Sequence, residues 1–350
     1  AIRDTLESRI TNNSAVIPAF GYDAEEIFQK IRQVQIVACG TSYHAGLVAK
    51  YWLEDIAKIP CNVEVASEYR YRHPILLNGT LFVTLSQSGE TADTVEALKT
   101  AKNLNSSINS LCISNSSESS LTRLSDLNFL THAGPEIGVA STKAFTTQLV
   151  ALALLVCSIG KLKNTINTKQ EKEIVDGLRK LPGLINDALL QEPQIKKLAA
   201  RFKDKNSALF LGRGTMYAIA MEGALKLKEI SYIHAEAYPA GELKHGPIAL
   251  IDKNMPVIAI APNDELLGKL KSNLQEVKSR GSQMIVFEDE DSKVHSMEAM
   301  EVIQITSNLG RISAPIIFTI PLQLLSYHVA LIKGTDVDMP RNLAKSVTVE

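Results

Sequence analysis

A turn of hydroxyl, amide and glycine residues directly follows a strongly apolar run, an order that is typical of an anion-binding site. The run at residues 81–85 is of β type, the turn covers residues 86–91, and a helix-compatible segment follows at once. A strand that leads through such a turn into a helix directs several backbone N–H groups, and the positive end of the helix dipole, at one point. The turn adds four side-chain donors, namely Ser86, Gln87, Ser88 and Thr91.

The chemistry that this turn predicts is the binding of a single phosphate on a small molecule. The chain contains neither Gly-x-x-x-x-Gly-Lys-Ser/Thr nor Gly-x-Gly-x-x-Gly, so the two common nucleotide-binding motifs are missing from the sequence. An ordinary serine-rich turn between a strand and a helix has a similar composition. The turn alone therefore leaves both interpretations open.

The second half of the chain places two carboxylates and a lysine at helical spacing. Glu222, Lys226 and Glu229 stand at positions i, i+4 and i+7, so that all three project from one face of a helix. This spacing suits a carboxylate base whose protonation and position are set by a neighbouring lysine. A solvated charged face with one ion pair has the same spacing, and spacing alone favours that simpler interpretation.

Two further residues are candidates for catalysis. His245 lies in the segment Gly-Glu-Leu-Lys-His-Gly-Pro, where a constrained backbone leaves the imidazole able to transfer protons near neutral pH. An idle histidine on a surface loop is the alternative. Lys345, if desolvated, could form an imine with a carbonyl substrate, although a solvated lysine on a loose terminus is the simpler interpretation. Residues 134–143 pass from a turn into a helix, and they line the same pocket or only cap that helix.

The elements that must position these residues occur twice along the chain. Residues 34–43 are echoed by residues 208–217, and both segments pass from a buried strand through a Gly-Thr turn into a helix, with the threonine as the expected N-cap. The same offset carries the turn at residues 86–91 onto residues 260–264, where a proline and an acid replace the serines. Both halves therefore share a scaffold, and only the first keeps the anion site.

Short runs of Val, Ile and Leu alternate with helical stretches within each half. Apolar strands without polar alternation predict parallel sheets that are covered by helices on both faces. Six such runs are recognisable, at residues 35–38, 81–85, 110–113, 208–211, 257–261 and 283–287. The predicted fold class is α/β, with two doubly wound parallel sheets related by internal duplication. Ligands of such sheets bind beyond the carboxyl ends of the strands, where the Gly40 and Ser86 turns fall.

The same pattern predicts how the chain divides into domains. Residues 1–24 are expected to be a remnant of an interdomain linker, and residues 25–166 to form a first domain that binds the phosphate. Residues 167–199, rich in Lys, Glu and Leu, are expected to be linking helices. Residues 200–341 would form a second domain with the charged helix and the histidine loop, and residues 342–350 a C-terminal tail.

Composition limits the class of protein. Apolar residues make up 45%, charged residues 21%, and the formal net charge is −1, so nothing favours nucleic acid or an anionic membrane as partner. The charged N-terminus is unlike a signal peptide, and the apolar run at residues 314–332, with two prolines, is expected to be a buried core or subunit-interface helix. Four cysteines without Cys-x-x-Cys pairing predict buried thiols of a cytoplasmic protein, without metal or cofactor: Cys39, Cys61, Cys112 and Cys157.

Taken together, these motifs resemble one family. Cys-Gly-Thr-Ser at residues 39–42, the Ser-Gln-Ser-Gly-Glu-Thr turn, Glu-Ile-Gly-Val-Ala-Ser-Thr-Lys at residues 136–143, the helix at 222–229, Leu-Lys-His-Gly-Pro and the tail from Arg341 all fit, in order. The chain is similar to the isomerase part of the glutamine–fructose-6-phosphate aminotransferases, or glucosamine-6-phosphate synthases. The resemblance implies two flavodoxin-like sugar-isomerase (SIS) domains packed as a pseudo-dimer, in a cytoplasmic homodimer.

The resemblance also implies a role for each candidate residue. The turn and Ser42 would hold the phosphate of fructose 6-phosphate, while other residues contact the sugar: Thr41, Val139, Ser141 and Ala344. His245, shared across subunits, would open the ring, and Lys345 would form an imine at C2. Glu229, helped by Lys226, would move a proton between C1 and C2 to give glucosamine 6-phosphate, or glucose 6-phosphate without ammonia, the first step of the hexosamine pathway to UDP-N-acetylglucosamine.

The family's complete enzyme also has a glutaminase domain that begins with a cysteine, whereas residue 1 here is Ala. We therefore expect the isolated isomerase portion, which uses ammonia but not glutamine. A non-catalytic SIS module that senses a sugar phosphate is the alternative from another class; it would need no base, ring-opening histidine or imine lysine. A different aldose–ketose isomerase is a further alternative, although single-SIS isomerases would not need the duplicated half.

Overall fold

The computed structural model describes residues 1–294, 300–307 and 309–348. The chain forms two compact units. The first contains Ala1–Ile137, Ser141–Arg179 and Ala344–Glu350, and the second contains Gly138–Ala140 and Lys180–Leu343. Most of the predicted tail, from Ala344 onward, therefore belongs to the first unit, although it follows the second unit in sequence.

The first unit contains a sheet of five parallel strands. They are β1 (Gln33–Ala38), β2 (Cys61–Val65), β3 (Thr80–Ser86), β4 (Asn109–Ser114) and β5 (Leu127–Leu130). Their order in the sheet is β2-β1-β3-β4-β5. The order reverses between β1 and β3, so the loops that leave these two strands diverge at the carboxyl edge. A ligand-binding crevice forms at such a switch point in doubly wound sheets.

Helices cover this sheet and anchor the N-terminal segment. They are α1 (Ile2–Leu6), α2 (Ala24–Lys30), α3 (Gly40–Asp55), α4 (Ala66–Tyr69), α5 (Ala92–Leu104), α6 (Ser120–Leu124) and α7 (Lys143–Leu162), followed by α8 (Thr168–Leu189), which continues into the second unit. Phe20, in a 3₁₀ helix at Ile17–Phe20, is buried, and its ring centroid lies 5.5 Å from that of Phe28 and 4.8 Å from that of Phe129. The N-terminal segment is thus part of the core of the first unit.

The second unit repeats this topology. Its strands are β6 (Ser207–Gly212), β7 (His234–Pro239), β8 (Pro256–Ala261), β9 (Gln283–Glu288) and β10 (Glu301–Gln304). Their order is β10-β9-β8-β6-β7, which, when read from the other edge, has the same sequence of first to fifth strands as the first sheet. All pairings are parallel. The predicted duplication and the predicted α/β class with two doubly wound parallel sheets are confirmed.

The helices of the second unit are α9 (Glu192–Ala199), α10 (Thr215–Ser231), α11 (Leu267–Lys278) and α12 (Ser313–Lys333), and 3₁₀ helices form at Ala200–Phe202, Ala240–His245, Pro247–Leu250 and Glu290–Ser292. Helices α7 and α12 are long and apolar enough to cross a membrane by length and composition. However, 89% of the most apolar window of α7 and 72% of that of α12 are buried within the structure. This burial agrees with the core helix predicted at residues 314–332.

The predicted threonine N-caps are wrong in both repeats. Helix α3 already begins at Gly40, with Cys39 as N-cap, and α10 begins at Thr215, with Gly214 as N-cap; neither N-cap side chain bonds to the helix. An N-cap residue needs a non-helical backbone. Cys39 has that conformation in the first repeat and Gly214 has it in the second. Both threonines therefore lie inside the helices.

Candidate functional site

The predicted phosphate turn connects β3 to α5 and brings its hydroxyls together. The Ser86 and Thr91 hydroxyl oxygens lie 3.0 Å apart, and Ser86 Oγ accepts the Gly89 N–H at 2.9 Å. Ser88 Oγ accepts the Glu90 N–H at 3.1 Å. A hydroxyl oxygen that accepts from the backbone keeps its own O–H available to donate. The turn therefore concentrates donors at the N-terminus of a helix of 13 residues, where an anion is stabilised.

Gly89 is required for the shape of this turn. Its φ of +70° lies in the left-handed region, and a Cβ atom at this position would stand 2.0 Å from Ser119 Oγ. Glu90 ties the same turn to the next helix, because its Oε1 accepts the Ser120 N–H at 2.7 Å. The backbone of the turn is therefore held from both sides.

Replacement of Gly89 with alanine is expected to remove anion binding at this turn and to lower the free energy of unfolding by about 3 kcal/mol, because left-handed strain and a steric clash add together. Gly177→Ala is the matched control, since Gly177 lies in α8 and a Cβ atom added there would meet no atom within 4 Å. Chemical denaturation and the shift in melting temperature with added inorganic phosphate measure both effects. A Gly89→Ala protein with the ligand response of the control would contradict this prediction.

Ser42 lies in the first turn of α3, beyond the carboxyl end of β1. Its Oγ accepts a hydrogen bond of 3.0 Å from Nε2 of Gln148, a buried residue of α7. Strands β1 and β3 are neighbours, with Ala38 paired to Leu85, so the two loops that carry Ser42 and Ser86 leave the same edge of the sheet. The structure thus places these two predicted phosphate ligands as the topology requires.

The C-terminal tail packs on the phosphate turn. Ser346 Oγ lies 3.0 Å from Ser88 Oγ, and the Val347 carbonyl accepts the Ala92 N–H, in the first turn of α5, at 3.1 Å. The neighbouring Lys345 is about one-third exposed, and its Nζ lies 3.1 Å from Glu136 Oε2. The simpler interpretation of Lys345 as a solvated lysine on a loose terminus is therefore wrong. The contact between tail and turn thus brings the candidate imine lysine and the predicted phosphate-binding turn into the same unit.

The segment before α7 approaches the tail as well. Glu136 accepts hydrogen bonds from the backbone of Thr142 and Ala144, at the start of α7. Val139 is assigned to the second unit, where its N–H donates to the Asp338 carbonyl at 2.9 Å. Ser141, the other predicted sugar contact, belongs to the first unit and is partly exposed. The predicted passage from a turn to a helix is confirmed, since α7 begins at Lys143.

In the second unit, the three charged residues of α10 form a cluster. Lys226 Nζ lies 3.4 Å from Glu222 Oε1 and 2.6 Å from Glu229 Oε2. Glu222 and Lys226 are 1% and 2% exposed, whereas the Glu229 side chain is 21% exposed. The prediction that the three share a face is confirmed, and the solvated-face interpretation is wrong.

The electrostatics of this cluster fix the charge of its lysine. Burial alone lowers the pKa of Lys226, but the carboxylates of Glu222 and Glu229 outweigh it and raise that pKa above its ordinary value. An ammonium that is held between two carboxylates keeps both of them in place. Of the two carboxylates, Glu229 is the more exposed to solvent.

His245 closes the 3₁₀ helix at Ala240–His245, and its side chain is exposed. Two contacts hold this loop. A Cβ atom on Gly241 would stand 2.4 Å from Arg213 Nη1, so the guanidinium packs directly against the backbone. Lys244 Nζ lies 2.9 Å from Glu276 Oε1 on α11. The backbone of the loop is thus constrained, as predicted, while the imidazole is accessible.

The described residues include no cluster that could bind a metal ion, and three of the four cysteines are buried. No group of three or more His, Cys, Asp or Glu side chains in residues 1–294, 300–307 and 309–348 could hold a metal ion. All four cysteines are free thiols, and three are buried. Burial raises the pKa of Cys61, Cys112 and Cys157 to about 12, which keeps them protonated and unreactive.

Three residues at the site have no role in the sequence analysis: Glu136, Gln148 and Ser346. The side chain of each forms a hydrogen bond with a side chain that is 106 or more positions away along the chain. No local spacing signals such contacts. Glu136 stands inside a recognised motif, but nothing in its neighbours indicates that it faces a lysine in the tail.

Comparison with known proteins agrees with this fold. The SIS domain family matches residues 27–158 and 201–333, one match in each half. Glutamine–fructose-6-phosphate aminotransferase [isomerizing] of Pseudomonas putida is 59% identical over 349 residues, covering 100% of this chain and 57% of that protein. The enzyme of the same name from Pseudomonas syringae pv. tomato is 60% identical over 349 residues, with the same coverage. The chain thus spans little more than half the length of these relatives.

A solved structure matches this chain over nearly the whole length of both proteins. The C-terminal domain of glucosamine-fructose-6-phosphate aminotransferase from Francisella tularensis superposes with a TM-score of 0.94 at 53% identity, covering 97% of this chain and 94% of that one. The two family matches coincide with the two repeated sheets, and this structural similarity extends over both. The chain therefore belongs to the SIS domain family, as a double-SIS chain of the kind that forms the C-terminal, isomerase part of the glutamine–fructose-6-phosphate aminotransferases.

Proposed function

We propose that this chain binds fructose 6-phosphate, opens its ring, forms an imine at C2 and isomerises the ketose to the aldose, giving glucosamine 6-phosphate with ammonia and glucose 6-phosphate without it. One observation carries the proposal: the tail lysine lies in the same unit as the phosphate turn, one residue from the Ser346 hydroxyl that lies 3.0 Å from Ser88 Oγ. A phosphate that is held by the turn and an amine beside it suit a phosphorylated carbonyl compound.

The turn would supply binding, and Lys345 would supply an electron sink. The phosphate would accept from the hydroxyls and the amide of the turn and from Ser42, while Thr41, Val139, Ser141 and Ala344 would contact the sugar. An imine between Lys345 Nζ and C2 carries a positive charge when protonated. That charge draws electrons from C1 and makes the C1 proton removable by a carboxylate.

Glu229 is proposed as the base for this proton. Ammonia would first replace Lys345 Nζ at C2 by transimination, which frees the lysine and keeps the positive charge on the nitrogen at C2. Removal of the C1 proton then gives an enaminol with a double bond between C1 and C2, and return of the proton to C2 leaves an amino group at C2 and an aldehyde at C1. Without ammonia, hydrolysis of the imine would restore the ketone, and the same proton transfer would pass through an enediol to glucose 6-phosphate. Lys226, whose Nζ lies 2.6 Å from Glu229 Oε2, would keep the carboxylate correctly placed. The base is partly exposed and its lysine is buried, a division that suits proton transfer to a bound ligand.

We further propose that His245 opens the sugar ring and that it acts across the subunits of a homodimer. Its exposed position on a constrained loop supports this role, because an exposed histidine can reach a ligand that is bound by another subunit. Ammonia that is derived from glutamine would come from the part of the longer relatives that this chain does not cover. No particular observation favours the alternative of a non-catalytic sugar-phosphate sensor, since the base, the histidine and the lysine are all present.

The proposed function is tested by assaying the chain with fructose 6-phosphate, without and with an ammonium salt. We expect glucose 6-phosphate in the first case and glucosamine 6-phosphate in the second, with glucosamine 6-phosphate lost in Lys345→Arg. Formation of glucosamine 6-phosphate by Lys345→Arg at the rate of the unmodified chain would overturn the imine mechanism. Fructose 6-phosphate binding without any conversion would favour the sensor.

A further inference from the structure

Glu136 has a carboxylate whose two oxygens face different partners. Oε1 accepts the backbone N–H groups of Thr142 at 2.7 Å and of Ala144 at 3.2 Å. Oε2 accepts from Lys345 Nζ at 3.1 Å. The Glu136 side chain is 4% exposed and that of Lys345 is 29% exposed. A buried carboxylate therefore points at the partly exposed amine.

The surroundings keep Glu136 ionised. Burial alone raises the pKa of its carboxyl group, but the hydrogen bonds from Thr142 and Ala144 and the positive charge of Lys345 outweigh burial and bring that pKa below its usual range. The two N–H groups belong to the N-terminus of α7, a helix of 20 residues whose dipole also favours a negative charge there. The charge is thus anchored on a rigid element.

We propose that Glu136 is the fixed counter-ion of Lys345: it positions Nζ at the substrate and stabilises the positive charge that Nζ carries as an ammonium and retains as an iminium in the imine with the sugar phosphate. This inference rests on the proposed function. Glu136 is a positioning residue, because it acts on the substrate only through Lys345.

The charge balance of the step explains why a fixed counter-ion is useful. The ammonium and the C2 carbonyl combine to an iminium and water: the Nζ–C2 bond forms, the C2–O bonds break, and the oxygen leaves with two protons from Nζ. Nζ carries one positive charge before and after the step. The carboxylate of Glu136 therefore stabilises both states without any rearrangement of charge, which is the advantage of a preorganised site.

Without this carboxylate, the imine would lose its proton more readily. A neutral imine is a weaker electrophile at C2, so ammonia would replace Lys345 Nζ there more slowly. An opposite charge within hydrogen-bond distance shifts such a protonation equilibrium by about one pH unit or more. The effect is specific to the charge on Glu136, since an uncharged acceptor can make the same two hydrogen bonds to α7.

The test measures protonated imine directly. Cyanoborohydride reduces an iminium but not a neutral imine, and mass spectrometry quantifies the reduced adduct at Lys345 in the presence of fructose 6-phosphate. In Glu136→Gln, we expect the pH at which adduct formation falls to half to decrease by about one unit or more. The kcat for glucosamine 6-phosphate formation with ammonia should fall about tenfold while KM for fructose 6-phosphate changes little, because the phosphate contacts remain.

Two further variants separate charge from structure. Glu96→Gln removes a carboxylate from an exposed ion pair with Lys99 and is expected to behave as the unmodified chain. Glu136→Asp keeps the charge at shorter reach, so its adduct should keep the original pH midpoint even at a reduced rate. An unchanged midpoint in Glu136→Gln, or a midpoint in Glu136→Asp that falls as far as in the glutamine variant, would overturn this inference. Absence of any adduct in the unmodified chain would overturn the proposed imine itself.

Discussion

Replacement of Glu229 with glutamine is expected to lower the kcat for isomerisation of fructose 6-phosphate about a thousandfold, within the range that a positioned general base contributes. Glutamine has the same shape but cannot take the C1 proton. KM should change by less than about threefold, because the removed interaction acts in the transition state and not on the bound phosphate. Steady-state kinetics with a coupled assay for glucose 6-phosphate measure both constants.

The control for this variant is Glu173→Gln, on the exposed face of α8. Glu173 lies 3.9 Å from Lys169 in a solvated pair, and its change should leave kcat and KM as they are. A Glu229→Gln protein that retains a tenth or more of the kcat would show that another group removes the proton. A raised KM with an unchanged kcat would instead assign Glu229 to binding.

Replacement of Lys226 with methionine is expected to destabilise the fold by about 3–5 kcal/mol at pH 8, because it leaves the buried carboxylate of Glu222 and the partly exposed carboxylate of Glu229 without their cation. Methionine fills much of the same volume, so the loss reports on charge and not on a cavity. Lys228→Met, on the same helix but exposed, is the matched control and should change stability by less than about 0.5 kcal/mol. Chemical denaturation measures the difference.

The pH dependence of this effect follows from the raised pKa of Lys226 in the folded chain. A raised folded pKa gives a stabilisation that is fully present below the unfolded value of about 10.4 and is lost only as pH rises through the folded value. The unmodified chain therefore keeps this contribution throughout the neutral range. In Lys226→Met, acid should reduce the deficit, since protonation removes a buried negative charge. A deficit at pH 5 as large as at pH 8 would contradict this assignment.

The central strands of both sheets are predictable from sequence because they are buried on both faces. The apolar runs within β1, β3, β4, β6, β8 and β9 coincide with observed strands. The edge strands are harder to recognise. In β2 and β10 apolar residues are interspersed with Asn, Glu and Gln, because one side of each strand meets solvent and continuous apolarity is not required.

The candidate site divides in the same way. The phosphate turn and the charged face of α10 depend on local spacing, and both were predictable. The burial of Glu222 and Lys226 was not predictable from their spacing, because spacing does not reveal whether a helix face is covered. The apolar residues on all sides of α10 are the one sequence signal of that burial. The partnership of Glu136 with Lys345 joins positions 209 residues apart, and only the folded chain brings them together.

The imine at Lys345 is tested most directly by borohydride reduction in the presence of fructose 6-phosphate, followed by peptide mapping. If Lys345 attacks C2, reduction adds one sugar phosphate to the peptide that contains Lys345 and inactivates the chain in proportion. Inorganic phosphate, which competes for the turn at residues 86–91, should protect against both. Turnover without any adduct, or an adduct confined to another lysine, would contradict the proposed mechanism.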